Sequence, residues 1–165
     1  MRLTKFEISP PEDYNRFWGK PDYAGKVVLD IGADYGSTAC FFLQRGALQV
    51  VAVESNKDLF SKLLENASKL GNVIPVELHV SSAQDYVDLI QSYKPDILKV
   101  DCEGCEIYIL DIPDEVFRNV REYIIEAHSH SLHAQFLEKF QSNGFNIIHQ
   151  DNWYPNVWII YAMKK

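Results

Sequence analysis

The sequence predicts an α/β fold, a mostly parallel sheet of seven strands with helices on both faces. Three observations predict it. Short apolar, β-branched runs alternate along the chain with stretches whose apolar residues recur at helical spacing. The first of these runs, V-V-L-D-I from Val27, breaks into the glycine turn G-A-D-Y-G and passes straight into S-T-A-C-F-F-L. The last two runs, F-N-I-I-H-Q and V-W-I-I-Y-A-M, are separated only by D-N-W-Y-P-N. That connection is too short for a parallel crossover, so the final pair is antiparallel.

Each element has its own signal. Residues 1–25 lack clear periodicity. Pro10-Pro11 breaks the chain, and E-D-Y-N-R-F-W can form a short helix with Tyr14, Phe17 and Trp18 on one side. This arm packs over the sheet or serves as a lid, and residues 26–165 form one domain. The first strand is followed by a helix that Ser37 and Thr38 are placed to cap and that ends near Gly46. L-Q-V-V-A-V-E is a second buried strand ending at Glu54. Ser55-Asn56 caps a helix whose Leu59, Leu63, Ala67 and Leu70 share a face, and Gly71 stops it. V-I-P-V-E-L-H-V is the third strand, and Tyr86 to Tyr93 the next helix, ended by Lys94-Pro95. D-I-L-K-V-D is the fourth strand, and the helical I-Y-I-L-D-I-P-D-E-V-F after it is interrupted by Pro113. R-E-Y-I-I-E-A-H is the fifth strand, and Leu132, Phe136, Leu137 and Phe140 mark a helix that ends by Gly144.

Composition narrows the function. The 165 residues suit one domain with a packed core, at 47% apolar and 13% aromatic content. A net charge of −7 and the lack of any Lys/Arg run argue against a broad electrostatic grip on DNA or RNA. The N-terminus lacks the apolar core of a signal peptide, and no stretch approaches the ~20 apolar residues of a membrane span. Three cysteines, an odd number, do not make a disulfide framework. The expected setting is cytoplasmic, with no membrane contact.

The turn after the first strand carries the chemistry. Its glycines, Gly32 and Gly36, are spaced G-x-x-x-G rather than G-x-G-x-x-G, and Asp34 stands where a second glycine would let a pyrophosphate approach. An aspartate there repels phosphate and tolerates a cationic or zwitterionic ligand. The other reading is an ordinary strand-to-helix turn with glycines for backbone reasons. Ligands of parallel sheets sit at the carboxyl ends of the strands. Asp34, Glu54, Ser82, Asp101 and His128 all fall at those ends.

Taken together, D-I-G-A-D-Y-G resembles the first motif of the Rossmann-like S-adenosylmethionine-dependent methyltransferases. D-I-G-A-D-Y-G-S-T followed by L-K-V-D-C-E-G-C-E, with E-A-H ending the fifth strand, resembles the FkbM family among them. The departures are Asp34 in place of asparagine and the cysteines flanking Glu103-Gly104. The resemblance implies a doubly wound sheet ordered 3-2-1-4-5-7-6 with strand seven antiparallel. It implies S-adenosylmethionine as cofactor, its amino-acid end surrounded by Asp30, Gly32, Ala33, Asp34, Tyr35 and Gly36. Glu54, with Ser55 beside it, would take the ribose hydroxyls. Ser82, Ala83 and Gln84 would lie near the adenine, and Asp101 near the methionine part. A carboxylate offers two acceptor oxygens to two neighbouring hydroxyls. The alternative for Glu54 is a solvated acid at a helix start.

Methyl transfer from a sulfonium needs acceptor, methyl and sulfur held in line. A hydroxyl acceptor also needs a base, for which Asp101, Glu103 and His128 are the candidates. The tetrapeptide after strand four is D-C-E-G, not the Asn/Asp-Pro-Pro-aromatic sequence that amino-directed methyltransferases of nucleic acids and glutamine resemble. With the acidic charge, this points to a small-molecule hydroxyl as acceptor, with nucleic acid not expected. Three other readings stand beside it. One is a cofactor-binding protein without turnover. Another is a redox pair at Cys102-x-x-Cys105. The third is a divalent cation among His128, His130, His133, Asp101 and Glu126, although no spacing here matches a strong zinc signature and no metal is expected.

Overall fold

The computed structural model describes residues 14–165. The strands are β1 (Val27–Ile31), β2 (Gln49–Glu54), β3 (Val73–Glu77), β4 (Ile97–Val100), β5 (Glu122–Ala127), β6 (Phe145–Tyr154) and β7 (Val157–Lys164). They form a single sheet in the order β3-β2-β1-β4-β5-β7-β6. β1 to β5 are parallel, and β7 runs antiparallel to both β5 and β6. The expected doubly wound architecture is the one observed. Helices α1 (Tyr14–Trp18), α2 (Ser37–Gln44), α3 (Lys57–Leu70), α4 (Ala83–Tyr93), α5 (Asp114–Phe117) and α6 (His130–Ser142) flank the sheet, with a 3₁₀ helix over Cys105–Asp111.

The strands read as near-continuous apolar runs because both of their faces are covered. Alternate residues feed two cores. Val28, Ala52 and Ile124 meet Phe42, Leu63, Phe17 and Trp18 on one face. Leu29, Val51, Leu98 and Tyr123 meet Tyr86, Phe117 and Phe140 on the other. Among the described residues no helix is long and apolar enough to cross a membrane.

Several local expectations are corrected. Helix α2 is capped by the backbone of Gly36, in the left-handed region at φ 96°, with no side-chain cap. Ser37 and Thr38 turn inward instead. The Thr38 hydroxyl donates to Asp30 Oδ2 at 2.6 Å, and Ser37 Oγ lies 2.8 Å from the Tyr14 hydroxyl. β3 stops at Glu77, and Leu78–Val80 leave the sheet. β5 stops at Ala127, one residue before the expected end at His128, and His130 is the first residue of α6. The β6–β7 connection shrinks to Pro155-Asn156, with Asn156 at φ 62°. Proline followed by a residue that tolerates positive φ is turn chemistry.

Pro10-Pro11 and the start of the arm lie outside the described residues. α1 itself is a packing element. Phe17 and Trp18 are buried, Phe17 meets Trp153 at 4.9 Å, and Tyr14 meets Phe41 edge-on at 5.7 Å.

One charge pair sits inside the sheet. Asp30 on β1 faces Lys99 on β4 across the parallel ladder. Lys99 Nζ lies 2.8 Å from Asp30 Oδ1 and donates to the carbonyl oxygens of Gly32 at 2.9 Å and Ile31 at 3.4 Å. The Trp18 ring lies 5.2 Å from the same ammonium. All three donors of the ammonium are thereby used. Burial disfavours the Lys99 charge, but Asp30 and Asp101 outweigh it and hold its pKa above the usual lysine value. Lys99→Met, which strands the Asp30 carboxylate, is expected to lower stability by about 3–5 kcal/mol in urea denaturation. Adding Asp30→Asn to it should restore part of that loss, and strict additivity of the two changes would show that the pair does not act as a unit.

Candidate functional site

The carboxyl ends of β1, β2 and β4 open into a cavity of about 550 Å³, within the range of small-molecule sites. Its first wall is the β1 turn. Gly32 is required there: a Cβ would come 1.8 Å from the Asp101 carbonyl oxygen, and its φ is 76°. Asp34, the other unusual residue of the turn, adopts φ 56°, which aspartate tolerates better than most side chains. Four amides of the turn are committed within the protein. Gly32 N and Ala33 N both donate to the Val53 carbonyl at 3.0 Å, Gly36 N to the Ala33 carbonyl at 2.8 Å, and Asp34 N to Glu54 Oε2 at 2.9 Å. Backbone donors for a pyrophosphate are therefore already used, in line with the departure from the dinucleotide spacing.

Glu54 ends β2 and is buried. Its Oε1 accepts from Ser55 N at 2.8 Å and Asn56 N at 2.7 Å, while Oε2 accepts from Asp34 N. Three of roughly four acceptor sites of the carboxylate are filled by backbone, leaving one on Oε2 for a ligand hydroxyl. The solvated-acid alternative does not describe it. Beside Glu54 stand Leu59, Leu78 and Val80, an apolar slot suited to a flat ring, with His79 between the last two. Partial burial, then the neighbouring Glu54 carboxylate, raise the pKa of Asp34 above the usual range.

Of the residues expected to hold the cofactor, Gly32, Asp34, Glu54, Ser55 and Asp101 line the cavity, as does Glu103 from the catalytic candidates. Asp30 does not reach it, being fully buried against Lys99 and Thr38. Ala33 packs into the core, and Gly36 is buried beside Leu63. Tyr35 contributes its carbonyl to Asn66 Nδ2 at 2.8 Å. Ser82 caps α4, Ala83 is the first residue of that helix, and Gln84 Nε2 donates to Asp88 at 2.7 Å. None of these lines the cavity. Leu78, His79 and Val80 occupy the position expected of Ser82–Gln84, because β3 ends three residues earlier than its apolar run.

A second polar cluster stands at the rim, where the motif after β4 meets the end of β5. Asp101 and Glu126 are hydrogen-bonded through their carboxyls. Trp153 Nε1 donates to Glu126 Oε1 at 3.1 Å. His128 Nδ1 lies 2.8 Å from Glu106 Oε1, and Glu106 Oε2 accepts from Gly104 N at 2.6 Å. Burial first, then the bond to Asp101, push the Glu126 pKa up to about 8, so the carboxyl pair shares a proton at neutral pH. The Glu106 bond raises His128 to about 9, and His128 is therefore a cation there. Burial disfavours the Glu106 carboxylate, but His128 and Gly104 N outweigh it and hold its pKa below the usual value. Donor atoms of Asp101, Glu126 and His128 lie within 4.8 Å of one another, near enough for a divalent cation to replace the shared proton. His130 and His133 do not join them, since both rings pack against Trp158 at 5.8 and 4.0 Å.

Cys102 and Cys105 are joined in a disulfide, and only Cys40 is free. A single bridge is not a disulfide framework, and it joins the two cysteines read above as a candidate redox pair. The odd count described one buried thiol plus one pair.

Lys99 and Glu106 have no part in the sequence reading, and Glu126 enters it only as a metal candidate, not as the partner of Asp101. Lys99 is visible as the only charge inside I-L-K-V, and Glu126 as the acid in E-A-H, but only the strand order brings either to its partner.

No protein-family model matches the chain. It is 26% identical over 140 residues to "Uncharacterized protein 65" of Sulfolobus islandicus filamentous virus, covering 84% of this chain and 83% of that protein. Among solved structures it is similar to Aeropyrum pernix fibrillarin with natively bound S-adenosyl-L-methionine, with TM-score 0.65 and 19% identity, over 87% of this chain and 68% of that one. It is also similar to a putative RNA methyltransferase of Pyrococcus horikoshii, with TM-score 0.61 and 19% identity, over 87% and 76% of the two chains. A third is a putative tRNA (m1A22) methyltransferase of Streptococcus pneumoniae, with TM-score 0.60 and 16% identity, over 86% and 64%. What these structures share with the chain is the Rossmann-like fold of class I S-adenosylmethionine-dependent methyltransferases. They also correct the expected partner. Most of the compared structures are fibrillarins or RNA and tRNA methyltransferases, so the expectation of a small-molecule acceptor, with nucleic acid not expected, does not stand. Net charge sums the whole surface, and says little about recognition at one rim.

The two raised pKa values carry a pH dependence. Both groups hold protons more tightly in the folded protein than in the unfolded chain. Their stabilising contribution is full below the ordinary values, 4.5 for Glu126 and 6.5 for His128, and is lost as pH rises through about 8 and about 9. Urea denaturation at pH 5, 7 and 9 should show stability falling by on the order of 3 kcal/mol over that span. Glu126→Gln should flatten the part of the slope below pH 8; an unchanged slope would refute the shared proton.

Proposed function

We propose that the protein is an S-adenosylmethionine-dependent methyltransferase acting on a hydroxyl of an RNA or RNA-associated acceptor. The observation that carries this reading is the cavity itself. It brings one free acceptor site of Glu54, an apolar slot and the Asp34 and Asp101 carboxylates into a single lining, with Asp34 directly beside Glu54. That donor set fits a ligand with a ribose, a flat ring and a cationic centre. The kinship in fold to RNA methyltransferases and fibrillarins supports the acceptor class. The convergence of Asp101, Glu106, Glu126 and His128, drawn from D-C-E-G-C-E and E-A-H, supports the narrower FkbM resemblance.

When bound, S-adenosylmethionine supplies a methyl group on a positively charged sulfur for in-line displacement. Glu54 would hold the ribose, and Leu59, Leu78 and Val80 the adenine. Asp34 and Asp101 would favour the positive end. At the rim, Asp101 is the group placed to take the acceptor's hydroxyl proton. Glu126 keeps the shared proton beside it. The cationic His128, fixed by Glu106, offsets the negative charge of the pair, and a protonated imidazole cannot itself be the base. Asp101 thus serves as catalytic residue, and Glu106, Glu126 and His128 as positioning residues. Glu103, exposed at the loop tip, is left without a part in this step.

Calorimetry with S-adenosylmethionine and S-adenosylhomocysteine tests the reading, followed by transfer of labelled methyl to total RNA and to RNA–protein fractions. Binding with label in an RNA-containing fraction is the expected result. Binding without transfer to any fraction would identify a cofactor-binding protein instead, and no binding would end both readings. Glu54→Gln keeps the size of the side chain but removes acceptor strength. It should weaken S-adenosylhomocysteine by about 10–100-fold, the effect of losing a hydrogen bond to a charged group. Unchanged affinity would refute the ribose role.

A further inference from the structure

We propose that Cys102–Cys105 is a reversible thiol–disulfide exchange site in the cavity wall, taking small thiols of the glutathione class, and that its redox state sets the position of the Glu106–His128 pair. The effect on cofactor binding rests on the proposed function; the exchange chemistry and the movement of His128 do not.

The first observation is access. Cys102 and Cys105 are half-buried, and both line the cavity together with Glu103 and Gly104 between them. A thiol entering the cavity comes up against the two bridged residues themselves. Cys40, the third cysteine, is buried on α2 and takes no part.

The second observation is what the bond closes. It ties off a tight loop in which Glu103 has φ 50° and Gly104 φ 132°. Glutamate in the left-handed region is costly, and persists where surrounding structure imposes it. The disulfide supplies that restraint.

The third observation is what the loop holds. Gly104 N donates to Glu106 Oε2 at 2.6 Å, and Glu106 Oε1 meets His128 Nδ1 at 2.8 Å. The Tyr86 hydroxyl lies 3.2 Å from Cys105 Sγ and 3.3 Å from its carbonyl oxygen, tying the loop to α4. Opening the ring lets Glu103 and Gly104 leave the left-handed region. Gly104 N then withdraws from Glu106, and the restraint on His128 loosens.

The exchange balances in two steps. A glutathione thiolate attacks one sulfur, forming a mixed disulfide and releasing the other cysteine as a thiolate, which takes up a proton. A second glutathione thiolate attacks the glutathione sulfur of the mixed disulfide, releasing the remaining cysteine, which is protonated in turn. Two glutathione molecules are oxidised to their disulfide, and the protein gains two electrons and two protons.

The test equilibrates the full chain in glutathione buffers of graded ratio, traps free thiols by alkylation and counts them by intact mass. His128 ring resonances and S-adenosylhomocysteine affinity are measured on the fully oxidised and fully reduced protein. The oxidised form should carry one alkylatable thiol after denaturation and the reduced form three. Reduction should shift the His128 resonances and weaken S-adenosylhomocysteine several-fold. A Cys102→Ser/Cys105→Ser protein should resemble the reduced form in both readouts and ignore the buffer. Three free thiols under oxidising conditions, or the same His128 resonances in both states, would overturn the proposal. If neither state binds S-adenosylhomocysteine, the methyltransferase reading fails while the thiol count and His128 still decide this one.

Discussion

The ion pair between Lys99 and Asp30 is the constraint on which the site depends. A lysine in the middle of a parallel sheet is costly unless every donor is met. Here the donors are met by one carboxylate and two carbonyls of the segment that becomes the glycine turn. The ammonium therefore binds β4 to the backbone of the β1 turn as well as to a side chain. Gly32 can then lie against the Asp101 carbonyl without a gap, and the cavity floor is set before any ligand arrives.

Above that floor the charges are arranged against phosphate and in favour of a cation. Asp34, Glu54, Asp101 and Glu103 line one cavity whose positive neighbour, Lys99, is already committed below it. The rim limits the excess of negative charge by sharing a proton between Asp101 and Glu126 and by keeping His128 charged against Glu106. Each device lowers the cost of crowding carboxylates at a site open to ligand.

The fold was legible in the sequence because both of its strongest signals are local. Buried strands read as apolar runs, and the short D-N-W-Y-P-N connection reads as an antiparallel pair. The place of the first motif was legible for the same reason, since Gly32, Asp34 and Glu54 line the cavity where their strands end. What was not legible depends on register. Asp30 reads as a ligand contact until strand order places Lys99 opposite it. Ser82–Gln84 reads as the adenine wall until β3 ends at Glu77 and Leu78–Val80 take that place. Thr38 reads as a cap until its hydroxyl turns to Asp30. The His128–Glu106 pair joins residues 22 positions apart, and no periodicity within either segment announces it.

The β6–β7 hairpin has a consequence of its own. Its tip, Tyr154 to Asn156, is exposed and lies at the end of the sheet where β5 closes, because Trp158 is paired with Ala127. Just behind the tip, Trp153 reaches back to Glu126 and packs at a tilt against Phe17. Residues added at Pro155-Asn156 would project over the rim while leaving the ladder and the Trp153 anchor in place. Such growth would widen the surface beside the rim without rebuilding the cavity floor.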